Sequence, residues 1–208
     1  MAQIFQIHPE HPQPRLIRQT AEILKSGGLV ALPTDAAYSL VGVTGHAPLL
    51  ERIRAIRDVD ERHHFTLMCR DLSEIARYAQ VSNVQFRLLK MLTPGSYTFI
   101  LEGSRELPRR VLHPKRKTIG LRVPDHPLVL ALLAELDEPL LSSTLILPGE
   151  EEPLCDAEAI RERLGKRLDA VIDCGPCGRE MTTVINLTSD QPELVRAGRG
   201  PLAPLGLA

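Results

Sequence analysis

What most constrains this chain is a succession of short apolar runs, each closed by turn residues and separated by segments with helical spacing. The first run, Leu29-Val30-Ala31-Leu32-Pro33, comes after residues 15–26, where Leu16, Ile17, Thr20, Ile23 and Leu24 recur at helical spacing before Gly27-Gly28. Short apolar runs between turn signals read as buried strands, and a glycine just past the last periodic residue suits a left-handed helix stop. The same reading places helices over 49–57, 71–78, 83–92, 127–136 and 157–164. It places strands over 66–69, 97–101, 118–123, 140–145, 170–173, 183–187 and 193–196. Consecutive strands between Pro94 and Val123, and again at the C-terminal end, break strict strand–helix alternation. The expected fold is therefore α/β, a single domain with a twisted mixed β-sheet flanked by helices.

A chain of 208 residues suits one domain. Glu150-Glu151-Glu152-Pro153 is the best linker candidate, but the segment beyond it is too short for a second domain. One domain is expected across 1–208, with 200–208 as a loose tail. Aromatic residues are only 3 % and tryptophan is absent, which removes the usual platform for stacking single-stranded bases. Lys+Arg 25 against Asp+Glu 26 leaves a net charge of -1, so any nucleic-acid contact would have to come from a local cluster. Residues 1–6 lack the basic start and apolar run of a signal peptide, and no apolar stretch approaches the roughly 20 residues of a membrane span. Four scattered cysteines without an export signal point to a reducing, cytoplasmic setting.

No phosphate-loop or dinucleotide glycine motif is present, and His63-His64 lacks the spacing of a zinc-hydrolase helix and reads as a solvated loop. Cys174-Gly175-Pro176-Cys177 comes after a strand and precedes a polar turn, whereas a redox pair wants its first cysteine at a helix N-terminus. No second pair completes a zinc site, so no protein-bound metal is expected. Pro33-Thr34-Asp35-Ala36-Ala37-Tyr38-Ser39-Leu40 sits at the end of the first apolar strand, where open α/β sheets place ligand crevices. Thr34, Asp35 and Tyr38 there either bind a polar ligand or form a plain turn with Tyr38 filling core.

Several stretches together resemble the YrdC/TsaC family of threonylcarbamoyl-AMP synthases. They are Pro33-Thr34-Asp35, Thr93-Pro94-Gly95-Ser96-Tyr97-Thr98-Phe99, and Thr118-Ile119-Gly120-Leu121-Arg122-Val123-Pro124-Asp125-His126-Pro127. Leu141-Ser142-Ser143-Thr144 ahead of Pro148-Gly149, Thr182-Thr183-Val184-Ile185-Asn186-Leu187 and Val195-Arg196-Ala197-Gly198 continue the match in order, over about 15–198. Phe65-Thr66-Leu67-Met68-Cys69-Arg70-Asp71-Leu72 is similar to the YciO-like branch.

The resemblance implies a YrdC-like fold whose concave face binds ATP as substrate, with Mg2+ on its phosphates, together with threonine and bicarbonate. The implied reaction yields threonylcarbamoyl-adenylate and pyrophosphate and feeds transfer-RNA modification. Carried over by position, Arg57, Arg122 and Ser142 would be the catalytic residues, and Thr34, Tyr38, Thr144, Thr183 and Arg196 substrate or nucleotide contacts. Where the family has Lys-x-Arg this chain has Arg57-Asp58-Val59, and its Ser-Thr-Ser-Ala-Asn becomes Ser142-Ser143-Thr144-Leu145-Ile146. Ser39 replaces the glycine usual after the tyrosine. A lost transition-state donor typically costs roughly 10²- to 10³-fold in rate, so nucleotide binding is expected more firmly than fast turnover.

Two alternatives accompany this expectation. In the first the chain is an RNA-binding protein without catalysis: Arg109, Arg110, Lys115, Arg116 and Lys117 form a local basic run that would suit a double-stranded RNA or transfer-RNA backbone, an association the family also implies. The apolar replacements Val59, Leu145 and Ile146 would suit carbamoyl-adenylate chemistry on a different amine.

Overall fold

The computed structural model describes residues 1–189 and 191–206. Its strands form one sheet in the order β1 (Gln3–Gln6), β8 (Ala170–Asp173), β2 (Val30–Leu32), β3 (Ser39–Val43), β7 (Leu140–Thr144), β4 (Thr66–Met68), β6 (Thr118–Arg122), β5 (Tyr97–Glu102), β9 (Thr183–Asn186) and β10 (Glu193–Arg196). The pairs β1–β8, β2–β8, β4–β6 and β5–β9 are parallel. The pairs β2–β3, β3–β7, β4–β7, β5–β6 and β9–β10 are antiparallel, so the sheet is mixed as expected.

Two strands lie outside the sequence expectation. β1 is a sheet edge whose Gln3 and Gln6 are exposed, so it carries no apolar run to announce it. β3 begins directly after the Pro33–Tyr38 turn and pairs antiparallel with β2, which splits the expected crevice motif between a turn and a strand.

Side chains alternate between the two faces of a strand, and here the faces have different covers. On one face Leu67, Phe99, Leu121, Leu141 and Val171 pack under α2 (Pro48–Arg57), α3 (Leu72–Tyr78), α4 (Asn83–Leu92) and α6 (Ala157–Leu164), through Ile53, Ile56, Ile75, Leu89 and Ile160. On the other, α1 (Pro14–Lys25) and α5 (Pro127–Leu136) cover Val30, Val41, Leu140 and Ile172 with Ile17, Leu24, Leu132 and Leu136. Among the described residues no helix covers the rest of that face, from β4 to β9. There Thr66 pairs in register with Gly120 and Ser142, and Thr98 and Arg122 line the same open area.

The helix starts are written in the chain. Pro stands in the first turn of α1, α2 and α5, where its missing N–H costs nothing. Asp71 and Asp156 cap α3 and α6 by accepting from Glu74 N at 3.0 Å and Ala159 N at 2.8 Å. Ser82 and Gln85 form a reciprocal capping box on α4. No helix among the described residues is long and apolar enough to cross a membrane.

The C-terminal segment is tied down, not loose, over its described part. Thr183 Oγ1 donates to Gly200 O at 2.6 Å, Tyr97 Oη donates to Pro201 O at 2.7 Å, and Leu205 packs against the larger core. Residues 207–208 of the expected tail lie outside the described residues.

Candidate functional site

The uncovered half-face forms a cleft of about 670 Å³, within the range of small-ligand sites. Its floor is set by strand parity. Gly120 lies between Thr66 and Thr98, and a Cβ there would stand 2.7 Å from Thr66 Oγ1 and 3.1 Å from Thr98 Cγ2, so glycine keeps the floor deep. Ser142, opposite Thr66 on β7, lines the cleft and donates from Oγ to Thr66 O at 2.9 Å.

Arg122 ends β6 and is only 4 % exposed. Its Nη2 donates to Asp35 Oδ1, and Asp35 Oδ2 accepts from Ser96 Oγ at 2.9 Å. The turn after β2 is thereby latched to the residue preceding β5. Burial pulls the Arg122 guanidinium down from its usual value while Asp35 opposes the shift, and Arg122 Nε is buried with no protein partner.

Arg57, the last residue of α2, donates from Nη1 to Ser143 Oγ at 2.7 Å and to Thr144 O. Burial lowers its pKa too, and its Nε is likewise buried without a partner. Arg196 on β10 donates from Nη2 to Thr182 O at 3.1 Å and lines the cleft beside Val184.

His63 is not part of a solvated loop. It is half-buried on the cleft wall, with Nε2 3.0 Å from Ser143 Oγ and its ring set edge-on to Phe65. Burial first, then the Arg57 charge, push its pKa down to about 4, leaving the imidazole neutral near pH 7. His64 also lines the cleft and packs its ring 4.6 Å from that of His113. Burial, His113 and Arg116 lower its pKa.

Arg57, Arg122, Ser142, Thr144 and Arg196, the expected site residues, thus converge on one cleft. Three others do not line it. Thr34 is spent on its own turn, donating to Ala37 O at 2.8 Å and accepting from Ala36 N at 3.1 Å. Tyr38 is fully buried in the larger core and donates to Ile172 O at 2.8 Å, with burial pushing its phenol far up. Thr183 pairs in register with Tyr97 on the helix-covered face and holds Gly198 N and Gly200 O, so it anchors the C-terminal segment. Strand parity brings its neighbours Thr182 and Val184 to the cleft instead.

The basic run is exposed. Arg109 and Arg110 lie on a short 3-10 turn (Arg109–Val111), and Lys115, Arg116 and Lys117 lead into β6. Arg110 donates to Thr44 O at 2.8 Å and Gly45 O at 3.1 Å, and Lys117 folds back onto Pro114 O at 3.0 Å. His113, packed against His64 with the two rings tilted, joins this run to the cleft.

Among the described residues lining the cleft none is an aspartate or glutamate, while Arg57, Arg62, Arg122 and Arg196 all do line it. Among the described residues no cluster of three or more His, Cys, Asp or Glu could hold a metal ion. Magnesium takes oxygen ligands, chiefly carboxylates and phosphates, so the donor set here does not fit an ion held by the protein itself. Fixed cations and hydroxyls in a partly dry cleft suit an anionic ligand.

Geometry and charge therefore define a class: a mixed-sheet α/β protein whose open half-face is a cationic, hydroxyl-rich cleft. The family model Sua5/YciO/YrdC, described as "Telomere recombination", matches residues 22–198. The chain is 52% identical to the uncharacterized protein YciO of Escherichia coli (strain K12), over 98% of this chain and 99% of that one. The crystal structure of E. coli YciO has a TM-score of 0.95 to this chain at 51% identity, covering 98% and 99% of the two. The threonylcarbamoyl-AMP synthase of Mus musculus is 29% identical over 88% of this chain and 64% of that protein. P. abyssi Sua5 complexed with L-threonine has the same fold, with a TM-score of 0.88 at 24% identity over 97% and 59%. The chain belongs to the Sua5/YciO/YrdC family, and its likeness is strongest to the YciO branch.

Proposed function

We propose that the cleft binds ATP and joins a small amine to bicarbonate as a carbamoyl-adenylate, releasing pyrophosphate. The observation that carries this reading is the convergence of Arg57, Arg122 and Arg196 with Ser142 and Thr144 on a cleft that no carboxylate lines among the described residues. In such a reaction the amine becomes a carbamate, whose carboxylate attacks the α-phosphorus in line while pyrophosphate leaves. Both partners are anions, so fixed guanidinium groups are what allow them to approach. Magnesium would arrive on the nucleotide's phosphates.

The mouse synthase and the threonine-bound Sua5 make threonine the first amine to test. Ile100, Ile146, Val184 and Val195 in the cleft lining favour a second form of the reading, in which the amine is another, more apolar one. Calorimetric titration with ATP tests the common core. The wild type binds, and Arg57→Ala and Arg196→Ala each weaken binding about tenfold or more, since a hydrogen bond to a charged group contributes roughly 1.5–3 kcal/mol. A wild type that takes up no ATP refutes the reading.

Arg109, Lys115 and Arg116 favour an additional RNA-binding role, because all three are exposed and have no ion-pair partner among the described residues. Double-stranded RNA or transfer RNA would then bind with an affinity that falls steeply with salt. Lys115→Ala with Arg116→Ala flattens that slope by about 1–2 in log–log terms. An unchanged slope removes the role.

A further inference from the structure

We infer that His63, acting through the Ser143 hydroxyl, takes the proton that the amine must lose when the carbamate forms. This rests on the reading of the cleft as a carbamoyl-adenylate site. An ammonium and bicarbonate give a carbamate, one water and one proton; the amine nitrogen forms the new C–N bond, and a bicarbonate oxygen leaves in the water. Some group must accept that proton.

The cleft offers few acceptors. Among the described residues its lining contains no carboxylate, lysine or cysteine, and arginines only donate. His63 and His64 are the remaining side-chain bases of that lining. His64 packs against the tilted ring of His113, lies 3.4 Å from Thr118 Oγ1 through Nε2, and is in the field of Arg116. His63 stands deeper, against Ser143 and beside Arg57.

Arg57 Nη1 can only donate to Ser143 Oγ, at 2.7 Å. The serine's own hydrogen can then point to His63 Nε2, 3.0 Å away, in the tautomer that leaves Nε2 unprotonated, and that tautomer is the one the proton transfer takes. An amine N–H that meets Ser143 Oγ passes its proton to the serine while the serine's hydrogen moves to His63 Nε2. The product is an imidazolium, which returns its proton to water through the cleft mouth. The charged and titratable groups facing His63 are Arg54 and Arg57 from α2, with Asp60 and His64 from its own loop. Burial, Arg57, His64 and Arg54 keep the free ring neutral against the opposing pull of Asp60, and a triphosphate or bicarbonate beside Arg57 offsets the cation that depresses it, raising its basicity when substrates are bound.

The test is pyrophosphate release as a function of pH, for wild type, His63→Gln and Ser143→Ala, with ATP affinity measured in parallel. His63→Gln is expected to lower kcat about 10²- to 10⁴-fold near neutral pH while ATP affinity is kept. That deficit shrinks as pH rises past the amine's own pKa, because a free amine needs no acceptor; Ser143→Ala behaves in the same way. A deficit that stays constant with pH, or a variant that turns over like wild type, overturns the inference and leaves the carbamoyl-adenylate reading standing. A wild type that releases no pyrophosphate with any amine overturns both.

Discussion

Replacing Asp35 by asparagine tests the latch that holds the cleft's deepest cation. Arg122 and Asp35 have side-chain exposures of only 5 % and 8 %, so the pair is largely dry. Removing one partner of a buried pair typically destabilises by about 3–5 kcal/mol, because the other charge is left uncompensated. Arg122 Nε already lacks a partner, which leaves this guanidinium little other protein support. For a chain of this size about 1 kcal/mol shifts Tm by roughly 2–4 °C, so Asp35→Asn should melt about 6–20 °C below wild type. Urea unfolding gives the free energy directly, and thermal melting the temperature. The double variant Asp35→Leu with Arg122→Met removes both charges, and such exchanges are often neutral or stabilising. It should recover most of the lost stability and bind no nucleotide. An Asp35→Asn protein within about 1 kcal/mol of wild type would refute the reasoning, since a dry charge without its partner cannot be that cheap.

Two further expectations come from single side chains. Thr183→Val should cost about 1–3 kcal/mol by leaving Gly200 O unpaired, and should raise amide exchange over residues 198–206 without changing ATP affinity; unchanged exchange there would mean that other contacts anchor the segment. His63 is neutral in the folded protein, with a pKa near 4 against about 6.5 in the unfolded chain, so the unfolded state binds the extra proton first as pH falls. Its contribution is complete above about pH 6.5 and lost between there and about pH 4, by at most about 3 kcal/mol and less after allowance for solvent access. His63→Gln should flatten that part of the stability–pH curve, and a curve of unchanged slope would contradict the burial assigned to the ring.

Much of the fold was legible because local signals and tertiary packing agree. Pro127 opening an apolar ten-residue run is read as a helix, and it is one; Leu140-Leu141-Ser142-Ser143-Thr144 reads as a strand and lies in the middle of the sheet. What the sequence did not disclose is strand parity. Tyr38 and Ser39 are adjacent, yet Tyr38 fills core and Ser39 lines the cleft, a choice made where β3 meets β2 and β7. Thr183 turns away from the cleft for the same reason, through its register with Tyr97. His63 gives no local signal because its partner Ser143 is 80 residues away, and its burial comes from α2 and β7 closing around it. The convergence of Arg57, Arg122 and Arg196 was accessible only through the family resemblance, since no spacing in the chain links residues carried by α2, β6 and β10.

The central claim is that this cationic cleft makes a carbamoyl-adenylate, and the most direct measurement is release of labelled pyrophosphate from ATP with and without bicarbonate and amine. Release should need all three substrates, with threonine or a more apolar amine, and should be lost in Arg57→Ala. Release indifferent to amine and bicarbonate, or none above background from a protein that binds ATP, would contradict it.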